Sequence, residues 1–297
     1  MIQPLQARPD HALDARTFEK LFADQRPFEQ AAPRIDLSQI TFVSPAGLVQ
    51  LAAMCHALFD AGRPATVHIP SFTVRSYVSR AGLVGALRDL ALVTPPSAIY
   101  ADGADARRGT NPLLVELTRF ENSAALPAVL DQVVDVLIAE LHYSNHDAYD
   151  VATAASEVAQ NALQHAGGVP AFGAMQVYRN GGRPFLEFAI ADDGVGLLRS
   201  LQRNAAHSDL ADDEAAIKRA LEPGASGLDD QTHGTGLYHL GEIAFAYGGT
   251  FQIRTGTVAA YYRGDLRRGW MSRGVPLPGV QITLKLNRPP VPLGRRS

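Results

Sequence analysis

Residues Tyr149–Ala166 read YDVATAASEVAQNALQHA, and this stretch restricts the fold of the chain most tightly. It is rich in Ala, free of Gly and Pro, and apolar at Val151, Ala155, Val158, Ala162 and Leu163, which predicts a largely buried helix. The same helix carries Glu157, Asn161 and His165 at spacing i, i+4, i+8. At about 100° per residue each step drifts by only about 40°, so the three share one stripe. A carboxylate, an amide and an imidazole on one edge of a buried helix must find internal partners or a ligand. Two readings follow: a satisfied polar seam within a helix bundle, or one wall of a binding site.

The rest of the composition narrows the classes of function. A chain of 297 residues has room for one large domain or two medium ones. With a net charge of −3 and a pI near 6.3, it offers no broad basic surface, so nucleic acid is not an expected partner. No 18-residue apolar run is present, and the opening MIQPLQARPDHALD lacks the pattern of a signal peptide. A cytoplasmic protein that neither spans nor binds a membrane is therefore expected. The single Cys55 excludes an internal disulfide, and its neighbours place it in a packed helix. Neither an H-E-x-x-H pair nor a G-x-x-x-x-G-K-[ST] phosphate loop occurs.

Upstream, residues 10–24 have helical spacing at Ala12, Leu13, Phe18, Leu21 and Phe22. Arg34–Leu37 predicts a strand, Ser44–Gly47 a turn, Leu48–Ala61 a buried helix closed by Gly62, Ala65–Ile69 a strand and Ser71–Leu83 a helix. This alternation implies an α/β layer. The segments IDLSQITFVSPAGLVQL (Ile35–Leu51) and SYVSRAGLVGAL (Ser76–Leu87) resemble the STAS domain of anti-sigma-factor antagonists. In that family the residue just before the loop glycine carries the hydroxyl that takes phosphate; here it is Ala46, with Ser44 as a weak substitute. The resemblance therefore implies a docking or folding module without the usual phosphoryl switch.

Residues 94–112 have linker composition, rich in Pro, Gly, Ala and Asp, which predicts a domain boundary there, with the STAS-like domain at 1–93, a linker at 94–112 and a second domain at 113–297. In the second part, Leu113–Phe120 predicts a strand and Ser123 caps a helix running through Leu137. Ala174–Tyr178 and Phe185–Ala191 predict a hairpin, and Thr250–Arg254, Val258–Tyr262 and Val280–Leu286 further strands. Tyr262–Pro278, with Trp270 and several arginines, reads as an insertion that is either a partner-binding loop or a surface excursion. Helices on one face of a mixed, mainly antiparallel sheet are expected, an α/β sandwich of the α+β type.

Three clusters now fall in order. Glu157-x-x-x-Asn161 lies on the helix, Asp192-Asp193-Gly194-Val195-Gly196 follows the strand FLEFAIA, and His233-Gly234-Thr235-Gly236-Leu237 opens another helix. Their order resembles the N, G1 and G2 boxes of the Bergerat ATP-binding fold shared by gyrase, chaperone ATPases, histidine kinases and MutL. Through SEVAQNALQHA and GTGLYHLGEIAFAYGGTFQI the chain is most similar to the anti-sigma-factor serine kinases. The chemistry agrees residue by residue. A carboxylate at Asp192 can accept the exocyclic amine of adenine. Gly194 and Gly196 let the backbone approach the base. Gly234, Thr235, Gly236 and Leu237 put free amides and a helix dipole near phosphates. Asn161 offers Mg²⁺ a neutral oxygen, and Glu157 is placed to orient or deprotonate an attacking hydroxyl. His165 reads as a helix-end residue bonded to the backbone.

The resemblance implies a regulatory ATP- and Mg²⁺-binding protein acting in signalling on a protein partner, with a homodimer among its expected states. It is read either as a protein serine/threonine kinase or weak ATPase, or as a nucleotide-gated scaffold without catalysis. Two departures bear on this. The threonine that often follows Gly in the last strand is replaced here by Gly279-Val280-Gln281, with Thr283 off register. No phosphoacceptor-histidine hairpin or transducer flanks the clusters, which points away from histidine kinases, gyrase and MutL. Leu197–His233, with a helix over Asp212–Glu222, is expected to act as a lid.

Overall fold

A strand that reads FLEFAIAD has apolar side chains on both faces, so both must be covered. The computed structural model of the chain describes residues 11–95, 114–165, 168–180, 183–222 and 236–289. The N-terminal elements are β1 (Ala12–Leu13), α1 (Phe18–Gln25), β2 (Arg34–Asp36), β3 (Phe42–Val43), α2 (Pro45–Asp60), β4 (Ala65–His68), α3 (Phe72–Arg80), α4 (Leu83–Ala86) and β5 (Ala91–Thr94). Strands β2, β4 and β5 form a parallel sheet in that order, and β1 pairs parallel with β3. After them come β6 (Leu114–Phe120), α5 (Leu126–Leu141), α6 (Asn145–His165), β7 (Ala171–Asn180), β8 (Arg183–Asp192), α7 (Gly196–Leu201), α8 (Asp213–Ala220), α9 (Gly236–Ala246), β9 (Thr250–Tyr262) and β10 (Trp270–Asn287). The α/β class is as expected, but the five-stranded sheet β6-β7-β8-β10-β9 is antiparallel at every pairing rather than mixed.

Period-two alternation sorts this sheet into two cores. Leu186, Phe188 and Ile190 of β8 join Met175, Ile253, Ile282 and Leu284 against α5, α6 and α9. Ala189 and Ala191, with Phe172, Ala174 and Leu277, face the other way, into the core built on α2. The expectation of helices on one face is corrected accordingly: the N-terminal half covers the second face. Thirteen of the sixteen residues of α2 are buried, the pattern of a helix held between layers rather than on a surface. Small residues on the strands let α2 approach closely, and at Gly47 a Cβ would fall 2.2 Å from the Leu13 carbonyl oxygen.

Polar ties join the halves as well. The Arg254 side chain, 1% exposed, donates to Glu19 Oε1, Gln281 Oε1 and the Val275 carbonyl, and Glu19 Oε2 accepts from Val275 N at 2.8 Å. Tyr77 Oη donates to Gln176 Oε1, and Gln252 Nε2 to the Ala15 carbonyl at 2.7 Å.

Several boundaries differ from the sequence expectation. The helix expected over 10–24 splits, because the Asp14 carboxylate accepts from Arg16 N and Thr17 N and holds a turn before α1. Asn122 rather than Ser123 caps the next turn, accepting from Ala124 N, and α5 starts at Leu126. The two strands expected between Thr250 and Tyr262 are one, β9, and the insertion after it is largely strand: Trp270–Arg273 pair with Tyr261–Val258 to lengthen the β9–β10 hairpin. Within the expected lid, α7 and α8 pack through Leu201, Ala216 and Ala220. Asp212 caps α8 by accepting from Ala215 N at 2.9 Å. Residues 223–233 of that stretch and most of the 94–112 linker lie outside the described residues, while Thr94 ends β5. No described helix is long and apolar enough to cross a membrane.

Candidate functional site

Alternation along β8 sends Asp192 to the face shared with Ile190 and Asp193 to the face that carries α2. Asp192 is 3% exposed, and its Oδ1 accepts from Gly194 N at 2.9 Å and Val280 N at 3.3 Å. Burial pushes its carboxyl up to about 7, against the pull of those two amides. Gln281 Nε2 donates to the Asp192 carbonyl at 3.1 Å. Gly279, at φ +79°, is required here, since a Cβ would lie 2.0 Å from the Asp192 carbonyl oxygen.

The D-x-G-x-G loop is fastened by a residue that the sequence motifs do not contain. The fully buried Thr255 donates from Oγ1 to the Gly279 carbonyl at 3.0 Å and accepts from Leu197 N at 3.0 Å. A Cβ on Gly196, at φ +78°, would meet that hydroxyl at 2.9 Å. Thr255 lies on β9, beside β10, and Thr283 sits within the β8–β10 pairing.

The first and third clusters also meet. Gly236 begins α9, and a Cβ there would lie 2.8 Å from Glu157 Cβ and 2.9 Å from Glu157 Oε2. The start of α9 therefore rests directly on α6 at Glu157. Asn161 stands one turn further along α6, half-buried like Glu157. Leu237 packs with Leu197 against Leu201, Ala216 and Ala220, which sets the head of α9 beside α7 and α8. Gly234, Thr235 and the His165 side chain lie outside the described residues. Glu157 also borders a cavity of about 360 Å³ between α5 and α6, with Leu130, Tyr149 and Thr153.

The structure therefore joins Glu157 to Gly236 by direct contact, and Asp192 to Gly194 and Gly196 through one braced loop. Chemically it presents a buried carboxylate that can accept from an amine. A helix N-terminus favours negative charge, and a half-buried carboxylate with an amide neighbour can serve a hydroxyl or a hydrated cation. Sequence reasoning missed Thr255 and Gln281, whose roles depend on cross-strand register, and the pair His56–Asp193, which joins residues 137 apart. No family model, curated protein or solved structure matches the chain.

Proposed function

We propose that this protein is a regulatory Mg²⁺- and ATP-binding protein of the kind the anti-sigma-factor serine kinases represent, acting on a separate protein partner. The observation that carries this reading is the abutment of Gly236 on Glu157, because it brings a helix start and a carboxylate together beside Asn161. Asp192, braced by Gly194 N and Val280 N, is the adenine acceptor in this reading. Bound Mg·ATP would supply the transferable γ-phosphoryl group. Asn161 Oδ1 would hold the cation beside its waters, the first amides of α9 would face the phosphates, and Glu157 would take the proton of the attacking hydroxyl.

The fused N-terminal half is not the substrate in this proposal. Ala46 is fully buried, and its N–H donates to Glu187 Oε1 at 3.2 Å, so that helix start is already occupied by a carboxylate of the same chain. This favours a second reading, a nucleotide-gated scaffold whose N-terminal layer is a permanent part of the fold.

Labelled ATP distinguishes the two. Wild type is expected to bind Mg·ATP and to transfer or hydrolyse the γ-phosphoryl group, with Glu157→Gln reducing turnover by roughly a hundredfold or more at unchanged affinity. Asp192→Asn is expected to weaken adenine-nucleotide binding by about tenfold or more. Binding without turnover across candidate partner proteins leaves the scaffold; wild-type affinity in Asp192→Asn removes the nucleotide reading.

A further inference from the structure

Where α2 meets the end of β8, three side chains converge that the nucleotide reading does not use. His56 and Asp60 stand one turn apart on α2, and Asp193 follows the last residue of β8. His56 Nδ1 lies 2.8 Å from Asp193 Oδ2 and 3.8 Å from Asp60 Oδ2, and one donor atom from each residue falls within 4.8 Å of the others. The Asp193 side chain is only 2% exposed, yet its Oδ1 has no hydrogen-bond partner among the described residues. A buried carboxylate oxygen without a donor costs free energy unless something else satisfies it.

We propose that His56 Nδ1, Asp60 and Asp193 form a zinc site that fastens α2 to the loop following β8. The donor set selects the metal. An imidazole with two carboxylates suits Zn²⁺ or a similar first-row ion, whereas Mg²⁺ and Ca²⁺ prefer shells of oxygen. In a tetrahedral zinc site, bond lengths near 2.1 Å place ligand atoms about 3.4 Å apart, between the two separations found. Charge also balances: two carboxylates and a neutral imidazole neutralise one divalent cation, which matters in a site this buried. Asp60, half-exposed, sits at the solvent edge, where a water completes the shell. The nearby Arg119 guanidinium, which also faces His56, is engaged by Glu121 at 2.6 Å. On binding, Zn²⁺ takes the Nδ1 lone pair; the Nδ1 proton moves to Nε2 in a neutral ring or leaves to solvent from an imidazolium, so the ligand is the neutral imidazole in either case. The inference does not depend on the nucleotide reading.

The test titrates the full-length chain, stripped with a chelator, with Zn²⁺ alone, without nucleotide. One equivalent is expected to bind and to raise the unfolding temperature, and Co²⁺ in its place is expected to give a tetrahedral absorption spectrum. Asp60→Asn, at an exposed side chain, should weaken binding by about tenfold or more while leaving the metal-free unfolding temperature unchanged. His56→Gln should abolish it. A His146→Ala/Asp150→Asn variant controls for the exposed group formed by His146, Asp147 and Asp150, and should bind as wild type does. The proposal is overturned if Asp60→Asn keeps wild-type affinity, if the His146/Asp150 variant loses the bound equivalent, or if no zinc binds at micromolar concentrations.

Discussion

Two helices of this protein begin against a glutamate, one on each face of the antiparallel sheet. At the head of α2, Glu187 accepts from Ala46 N at 3.2 Å and lies 3.1 Å from Lys285 Nζ, with its side chain 3% exposed. At the head of α9, Glu157 presses on Gly236 but stays half-buried, on the same edge as Asn161. The same physics operates at both, since the first amides of a helix favour negative charge. At α2 the chain supplies the anion and its counter-ion itself, and the site is closed. At α9 the carboxylate is half-buried beside the helix start, on the edge that the proposed function assigns to the ligand. One glutamate is expected to answer to stability and the other to chemistry.

The largest effect is expected on β10, which carries Val280 beside Asp192 and Lys285 beside Glu187. Gly279→Ala places a Cβ 2.0 Å from a backbone oxygen at φ +79° and should cost roughly 3 kcal/mol or more in denaturant unfolding, with nucleotide binding lost alongside. Next comes the direct contrast of the two glutamates. Glu187→Ala leaves a buried amide unsatisfied and is expected to lose about 2 kcal/mol, whereas Glu157→Gln should stay within about 0.5 kcal/mol of wild type. Equal losses in the two variants would erase the distinction.

Smaller effects follow from titration. Because burial raises the Asp192 carboxyl to about 7, the folded state holds a proton there that the unfolded state has released above its ordinary value near 3.8. Stability therefore falls as pH rises across that window and is flat in this term above it. Asp192→Asn, whose amide oxygen can still accept from Gly194 N and Val280 N, should flatten the slope and be more stable than wild type at pH 8 by about 1–3 kcal/mol. His56 behaves in the next window. Its hydrogen bond to Asp193 raises its pKa, so its contribution is complete below about 6.5 and is lost as pH rises through the folded value. In chelator, His56→Gln should remove that pH dependence from thermal melts.

The sequence made some of this legible and hid the rest for physical reasons. Helix α6 and the position of Asp192 at a strand end are local patterns, and both were readable from spacing alone. A covering for the sheet's second face is hinted at in FLEFAIAD, where Ala189 and Ala191 alternate with Phe188 and Ile190, though Glu187 on that face and periodicity alone do not say what covers it. Thr255, Gln281 and Glu187 carry no local signal, because their partners lie on neighbouring strands or in the other half of the chain. The split near Asp14 went unread because a side-chain turn competes with helix on equal terms at that length.

Glu19 meets Val275 across 256 residues of chain, and Arg254 closes the same junction. At ribosomal rates of about 5–20 residues per second, α1 leaves the ribosome roughly ten to fifty seconds before its partner strand exists. Until β7 and β8 follow, the face of α2 that packs on them is uncovered, so the nascent N-terminal half is a natural client for a holdase chaperone. Ribosome-bound chains arrested before β7 should accordingly be cut by protease within α2, and chains released after Asn287 should resist.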